Sequence, residues 1–132
     1  MKKKIISLFM AAVTLFCLLS IPVSARYTYI SSFSANVTKG NGVVDYRGDV
    51  SVRPTDEKVT LKVYLQESSD RVSWTTVASK TREYTPMIGG GGLFGTYTNP
   101  ISGKYYRCLT TVWIGDINNP IDYGSVNKII QY

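Results

Sequence analysis

The chain contains no histidine. That absence removes the Ser-His-Asp and Cys-His arrangements and every histidine-based metal site in one step. Cysteine is nearly absent as well, with Cys17 and Cys108 alone. Cys17 falls in a segment expected to be cut away, so Cys108 has no partner for an intramolecular disulfide and cannot build a zinc site by itself. An exported domain without a disulfide points to a bacterial exporter that avoids cysteine, not to a stapled growth factor or toxin. Long apolar runs are also missing beyond Ile21, and no stretch after it has a convincing amphipathic helical pattern.

What is there begins with an export signal. Lys2, Lys3 and Lys4 precede the apolar run Ile5 to Ile21, and Val23-Ser24-Ala25 supplies small residues for cleavage between Ala25 and Arg26. The expected organisation is a signal peptide, residues 1–25, helical from about Lys4 to Ile21, and one secreted domain, residues 26–132. The competing reading is an uncleaved anchor, since the run sits at the short edge of what spans a bilayer. The cleavage site favours removal and no stable membrane anchor afterwards. A lipidated cysteine is disfavoured because Phe16, not a small residue, precedes Cys17. The expected location is extracellular or loosely associated with the cell envelope.

Removing the signal lowers the charge. The whole chain carries 15 basic and 9 acidic side chains, and three of the lysines leave with the signal. The remaining bases stand singly along the chain, whereas a nucleic-acid footprint clusters on one element, so no nucleic-acid partner is expected. A domain of this size buries roughly 65% of the surface its unfolded chain exposes, enough for a core without staples.

The clearest pattern lies in Thr60 to Ala78, read as a β-hairpin. Val59, Leu61, Val63 and Leu65 alternate with Thr60, Lys62, Tyr64 and Gln66, a period of two that demands one buried face. Its turn, Ser68-Ser69-Asp70-Arg71, lacks the glycine of a tight turn and predicts a longer loop. In the second arm Trp74 and Val77 are three apart, so a bulge intervenes or one faces out, and Trp74 is expected in the core for its larger apolar area. Before the hairpin, a strand over Tyr27 to Val37 breaks at Lys39-Gly40-Asn41-Gly42. A second buries Val44, Tyr46, Val50 and Val52 against an outer row of Asp45, Arg47, Asp49, Ser51 and Arg53. Gly48 occupies an inner position of that strand, where a bulge or close approach is the usual reason.

Gly89 to Gly92 reads as a flexible loop at a sheet edge, followed by a short strand from Leu93 to Thr98; a phosphate cradle is excluded because no Gly-Lys-Ser/Thr follows. Lys104 to Ile114 is the second strong strand. It sets Tyr106, Cys108, Thr110, Val112 and Ile114 on one face and Tyr105, Arg107, Leu109, Thr111 and Trp113 on the other. After a turn at Asp116 to Pro120, Tyr123 to Tyr132 completes the set, and Pro54, Pro86, Pro100 and Pro120 are expected between strands. The fold class is all-β: a seven-stranded Greek-key sandwich, immunoglobulin-like or fibronectin type III-like, with a small barrel as the alternative. Tyr106, two residues before Cys108, has the spacing of a tyrosine corner, although no second cysteine exists to complete an immunoglobulin pair.

Several stretches carry a likeness: Tyr29-Ile30-Ser31-Ser32-Phe33-Ser34-Ala35, Leu65-Gln66-Glu67 with Trp74-Thr75-Thr76-Val77, Gly103-Lys104-Tyr105-Tyr106-Arg107, and Val112. With the export signal they resemble a group of small secreted single-domain β-sandwich proteins of Gram-positive bacteria that has no assigned function. The resemblance implies export and a sandwich fold and brings no catalytic residue with it. Cys108 departs from it, standing where a small residue such as alanine is usual.

Candidate chemistry is sparse. Cys108, mid-strand among apolar neighbours, is expected as a buried and inert thiol. Asp45 and Asp49 share a strand face about 13 Å apart, too far for a glycosidase pair unless Gly48 bulges. Asp116, Asn118 and Asp122 lack the further oxygens and the glycine of a calcium loop, and turn chemistry explains them better. No cofactor and no metal is expected. Ten tyrosines exceed what this core can bury with satisfied hydroxyls, so several must lie outside. Tyr105, Leu109 and Trp113 are the candidate exposed row, suited to sugar rings or a protein partner, unless they pack under a second sheet. The expectation is a secreted, non-enzymatic binding module for an extracellular glycan or protein. Its alternatives are a secreted antagonistic effector acting on other cells and, last, an extracellular hydrolase using two carboxylates.

Overall fold

The computed structural model describes residues 27–132. The expected signal peptide and its cleavage bond between Ala25 and Arg26 lie outside the described residues. Seven strands follow in order: β1 (Ile30–Lys39), β2 (Val43–Thr55), β3 (Val59–Ser68), β4 (Thr75–Tyr84), β5 (Met87–Thr98), β6 (Tyr105–Asp116) and β7 (Asn119–Gln131). They form two antiparallel sheets, β1-β2-β5 and β4-β3-β6-β7, packed as a β-sandwich. The alternative of a closed barrel is not what forms. The chain pairs β1 with β2, crosses to the second sheet for β3 and β4, returns for β5, and crosses again for β6 and β7.

Alternation set this arrangement. Val59, Leu61, Val63 and Leu65 of β3 and Tyr106, Cys108, Thr110, Val112 and Ile114 of β6 are all fully buried between the sheets. From the other sheet Val44, Tyr46, Val50 and Val52 meet them. Each buried aliphatic side chain contributes about 1.5–3 kcal/mol of gross stabilisation, so these two inner rows dominate the core. Gly48 marks a close approach of the two sheets. A Cβ there would lie 2.5 Å from Val63 Cγ2 and collide with Thr110, so the two sheets touch where β2 lacks a side chain.

Turns follow the residue chemistry. Gly40-Asn41-Gly42 closes the first hairpin, with Gly42 at φ 74° and the Gly40 N–H donating to Val43 O at 2.9 Å. The β3–β4 connection is the longer loop that Arg71 demanded. Ser68 Oγ accepts the Arg71 N–H at 2.8 Å and Asp70 Oδ1 accepts those of Val72 and Ser73, while Arg71 itself takes a positive φ of 64°. Tyr106 makes the corner bond its spacing predicts, its hydroxyl accepting the Ile101 N–H at 2.8 Å.

Several sequence expectations are corrected. Gly89 to Gly92 is strand, not loop: β5 extends back to Met87, and these glycines pair with Val52 to Asp49 of β2. The inward one, Gly91, leaves room for the Tyr84 ring, whose hydroxyl lies 2.5 Å from where a Cβ would sit. The first strand starts at Ile30, because the backbone of Thr28 to Ile30 is held by Asp122. Pro54 and Pro120 lie in the end residues of β2 and β7, at register shifts between Val52 and Thr55 and between Ile114 and Gly115, where a missing N–H is tolerated. Pro86 and Pro100 do fall between strands.

Trp74 is not in the core. It precedes β4 and is half-buried, because β4 is a sheet edge with little to pack against. Of the two alternatives for Trp74 and Val77, a bulge is present: Leu65 pairs with Ala78 and Gln66 with Thr76, which makes Val77 the extra residue, half-buried at the core margin.

Candidate binding face

Because β3 and β6 spend their inner rows on the core, their other rows form the outer surface of the four-stranded sheet. The register places Tyr64 opposite Leu109, Gln66 opposite Arg107, and Lys62 opposite Thr111. On the other side of β6, Trp113 faces Tyr123 and Leu109 faces Asn127. Tyr105, Leu109 and Trp113 therefore do lie outside, on the face opposite Cys108, and not beneath the second sheet. They are half-buried where full exposure was expected, since interior strands crowd one another with neighbours on both sides.

The structure adds residues that sequence reasoning did not join to this row. Trp113 and Tyr123 form a ring pair, centroids 5.7 Å apart at 54°, and Tyr123 is half exposed. Trp74 lies under the Arg107 guanidinium at 4.3 Å, Tyr105 under that of Arg71 at 5.2 Å, and Tyr64 beside the Lys62 ammonium at 5.4 Å. Arg107 also donates from Nε to Gln66 Oε1 at 2.9 Å, and burial lowers its pKa from the usual arginine value. The alternation of Lys62, Tyr64 and Gln66 was visible in the sequence. Their neighbourhood with β6 and β7 needed the register.

The other candidates are accounted for elsewhere. Cys108 is free and fully buried, its thiol directed at the Arg47 carbonyl at 3.4 Å and its pKa raised by burial. Asp49 is spent on Arg47, at 2.8 Å, and Asp45 accepts from the Thr96 hydroxyl at 2.6 Å. The register is continuous through Asp45 to Asp49, so Gly48 does not bulge to fold the two carboxylates together. Asp116 Oδ1 accepts the Asn118 N–H at 2.7 Å in a local turn. Asp122, 6% exposed, accepts the N–H groups of Thr28, Tyr29 and Ile30.

No family model matches the chain, and no curated protein matches it. Among solved structures it is similar to part of the β-glucuronidase of Parabacteroides merdae, at 19% identity over 77% of this chain, with a TM-score of 0.46. It is likewise similar to part of a proposed β-galactosidase of Bacteroides fragilis, at 13% identity over 72% of this chain, again at 0.46. The chain spans only 13% and 15% of those proteins' lengths. At that level neither likeness bears on what this chain does.

Proposed function

We propose that this protein is a secreted, non-enzymatic binding module that holds an extracellular glycan or protein on the outer face of its four-stranded sheet. The observation that carries the reading is the ring pair of Trp113 and Tyr123, continued along the sheet by Tyr64, Leu109 and Tyr105. Aromatic side chains offer large contact area at low entropic cost, and they dominate contact surfaces for that reason. The export signal supports an extracellular partner. The strand order supports the fibronectin type III-like form of the sandwich over the immunoglobulin constant form, because β4 joins β3 instead of completing the sheet of β1, β2 and β5.

Screening the purified protein against glycan, peptidoglycan and host-protein panels tests this reading. Trp113→Ala and Tyr123→Ala are expected to weaken the interaction found by at least about tenfold, with the unfolding midpoint little changed. Silence on every panel, or a ligand indifferent to both substitutions, overturns it.

A further inference from the structure

Cations held over aromatic rings recur on this molecule, at Lys39, Lys80 and Arg82 among others, and three more, Lys62, Arg71 and Arg107, gather on this face. The ion pairs of the described residues join Arg47 to Asp49, Lys58 to Glu83, and Lys104 to Glu67. Lys62, Arg71 and Arg107 belong to none of them. Each instead lies over an aromatic ring of the same face. The outward rows of β3, β6 and β7, from Thr60 to Gln66, Tyr105 to Trp113 and Tyr123 to Gln131, hold no Asp or Glu, and the outward acid of β4, Glu83 opposite Thr60, is taken by Lys58. On the outer face of the three-stranded sheet Arg47 is neutralised by Asp49 two residues on.

We infer that the outer face of the four-stranded sheet takes a linear anionic polysaccharide, one bearing sulfate, phosphate or carboxylate groups along its length. The inference rests on the binding-face reading and specifies its ligand. An unpaired cation held over a ring keeps its charge available to a ligand while its side chain is already ordered, which lowers the entropic cost of contact. Lys62 and Arg107 are offset by four strand positions, because Arg107 faces Gln66, and this sets them about 13 Å apart along the sheet. Tyr64 and Leu109 fill the interval. Such spacing suits repeated charges on an extended polymer better than one small anion.

An acidic peptide is the less suited occupant. β3 and β6, which carry Lys62 and Arg107, are paired on both sides, so a strand added at the edges β4 or β7 would not lie over these cations. Only side chains are presented, and the ring pair of Trp113 and Tyr123 offers surfaces for the apolar faces of sugar rings.

Both tryptophans of the chain, Trp74 and Trp113, lie on this face, so intrinsic emission reports its occupancy. Titration of the purified protein with dextran sulfate and with uncharged dextran compares one backbone with and without charge. Dextran sulfate is expected to shift the emission saturably, at least about tenfold more tightly than dextran, and to weaken as salt is raised. Lys62→Gln with Arg107→Gln is expected to reduce that affinity about tenfold, and Lys62→Arg with Arg107→Lys to retain most of it. Equal affinity for dextran overturns the anionic inference and leaves the binding face standing. Tighter binding of polyglutamate or of an oligothymidylate overturns the polysaccharide assignment. Dextran sulfate binding indifferent to the double substitution overturns the site. No response to any polymer, with silence on the wider panels, removes both readings together.

Discussion

The Tyr106 hydroxyl donates to Glu67 Oε2 at 2.6 Å, tying the start of β6 to the end of β3 on the buried side of the four-stranded sheet. The same oxygen accepts the Ile101 N–H, and the ring packs against Tyr97 and Tyr132 at centroid distances of 6.1 and 6.2 Å. Burial and then the Glu67 contact push the Tyr106 phenol up to about 12, so it remains a donor at every physiological pH. Tyr106→Phe keeps the packed ring and removes both bonds. A loss of about 1–3 kcal/mol in urea unfolding is expected, because a carboxylate partner makes the bond a strong one. A loss below about 0.5 kcal/mol would show that the corner bond contributes nothing beyond packing.

Glu67 gives the fold a directional response to acid. The hydrogen bond from Lys104 Nζ, at 2.6 Å, and next that from Tyr106 hold its carboxyl below the ordinary value of 4.5. A lowered folded-state pKa means that the unfolded chain binds the proton more readily, so this stabilisation is complete above 4.5 and is lost as pH falls below it. Urea midpoints measured from pH 7 down to pH 3 are expected to fall with acid in the parent. Glu67→Gln should start less stable and show a shallower decline. Parallel pH profiles would refute a role for Glu67.

Gly48 lies where the sheets press together. Placing valine there drives side-chain atoms into Val63 and Thr110, and overpacking of this kind costs about 1–3 kcal/mol. The melting temperature of Gly48→Val should fall accordingly. Combining it with Val63→Ala should cost less than the sum of the two single changes, since each relieves the other. Additive losses would place the strain somewhere else.

Strands with a strict two-residue period were legible before any coordinates. β3 carries an unbroken aliphatic row and β6 a buried aliphatic and aromatic row interrupted only by Cys108 and Thr110, and both are interior strands, so burial enforces what the pattern states. Edge strands were harder. β4 and β5 bury little, and their residues answer to a partner strand more than to a core; the glycines of β5 are extended because β2 pairs with them, a cause no local window contains. The same limit applied to the binding face. Tyr105, Leu109 and Trp113 could be read from one strand, but Tyr64 and Tyr123 join them only through the registers of β3 and β7. Trp74 misled because size argued for the core, while its place before an edge strand set it on the outer face beneath Arg107.

Asp122 is the least expected of the anchoring residues. It faces Ile114 across β6 and β7 with its carboxylate buried, and it gathers three consecutive backbone N–H groups from Thr28 to Ile30. Those residues are among the first of the described chain, so one β7 side chain docks the segment that leads into β1. Asp122→Ala leaves three donors to find water or other partners, and a cost of about 1.5–3 kcal/mol is expected for losing bonds to a charged acceptor. The effect should be local first. Amide exchange at Thr28, Tyr29 and Ile30 should accelerate strongly while that of Leu61 and Val112, deep in β3 and β6, changes only by the global loss. Asp122→Asn, which retains an acceptor oxygen, should fall between the two. If exchange at Thr28 to Ile30 is the same in the alanine variant as in the parent, the clamp does not hold the segment and its order comes from the Arg53 bonds to the Thr28 and Tyr29 carbonyls and the β1–β2 pairing instead.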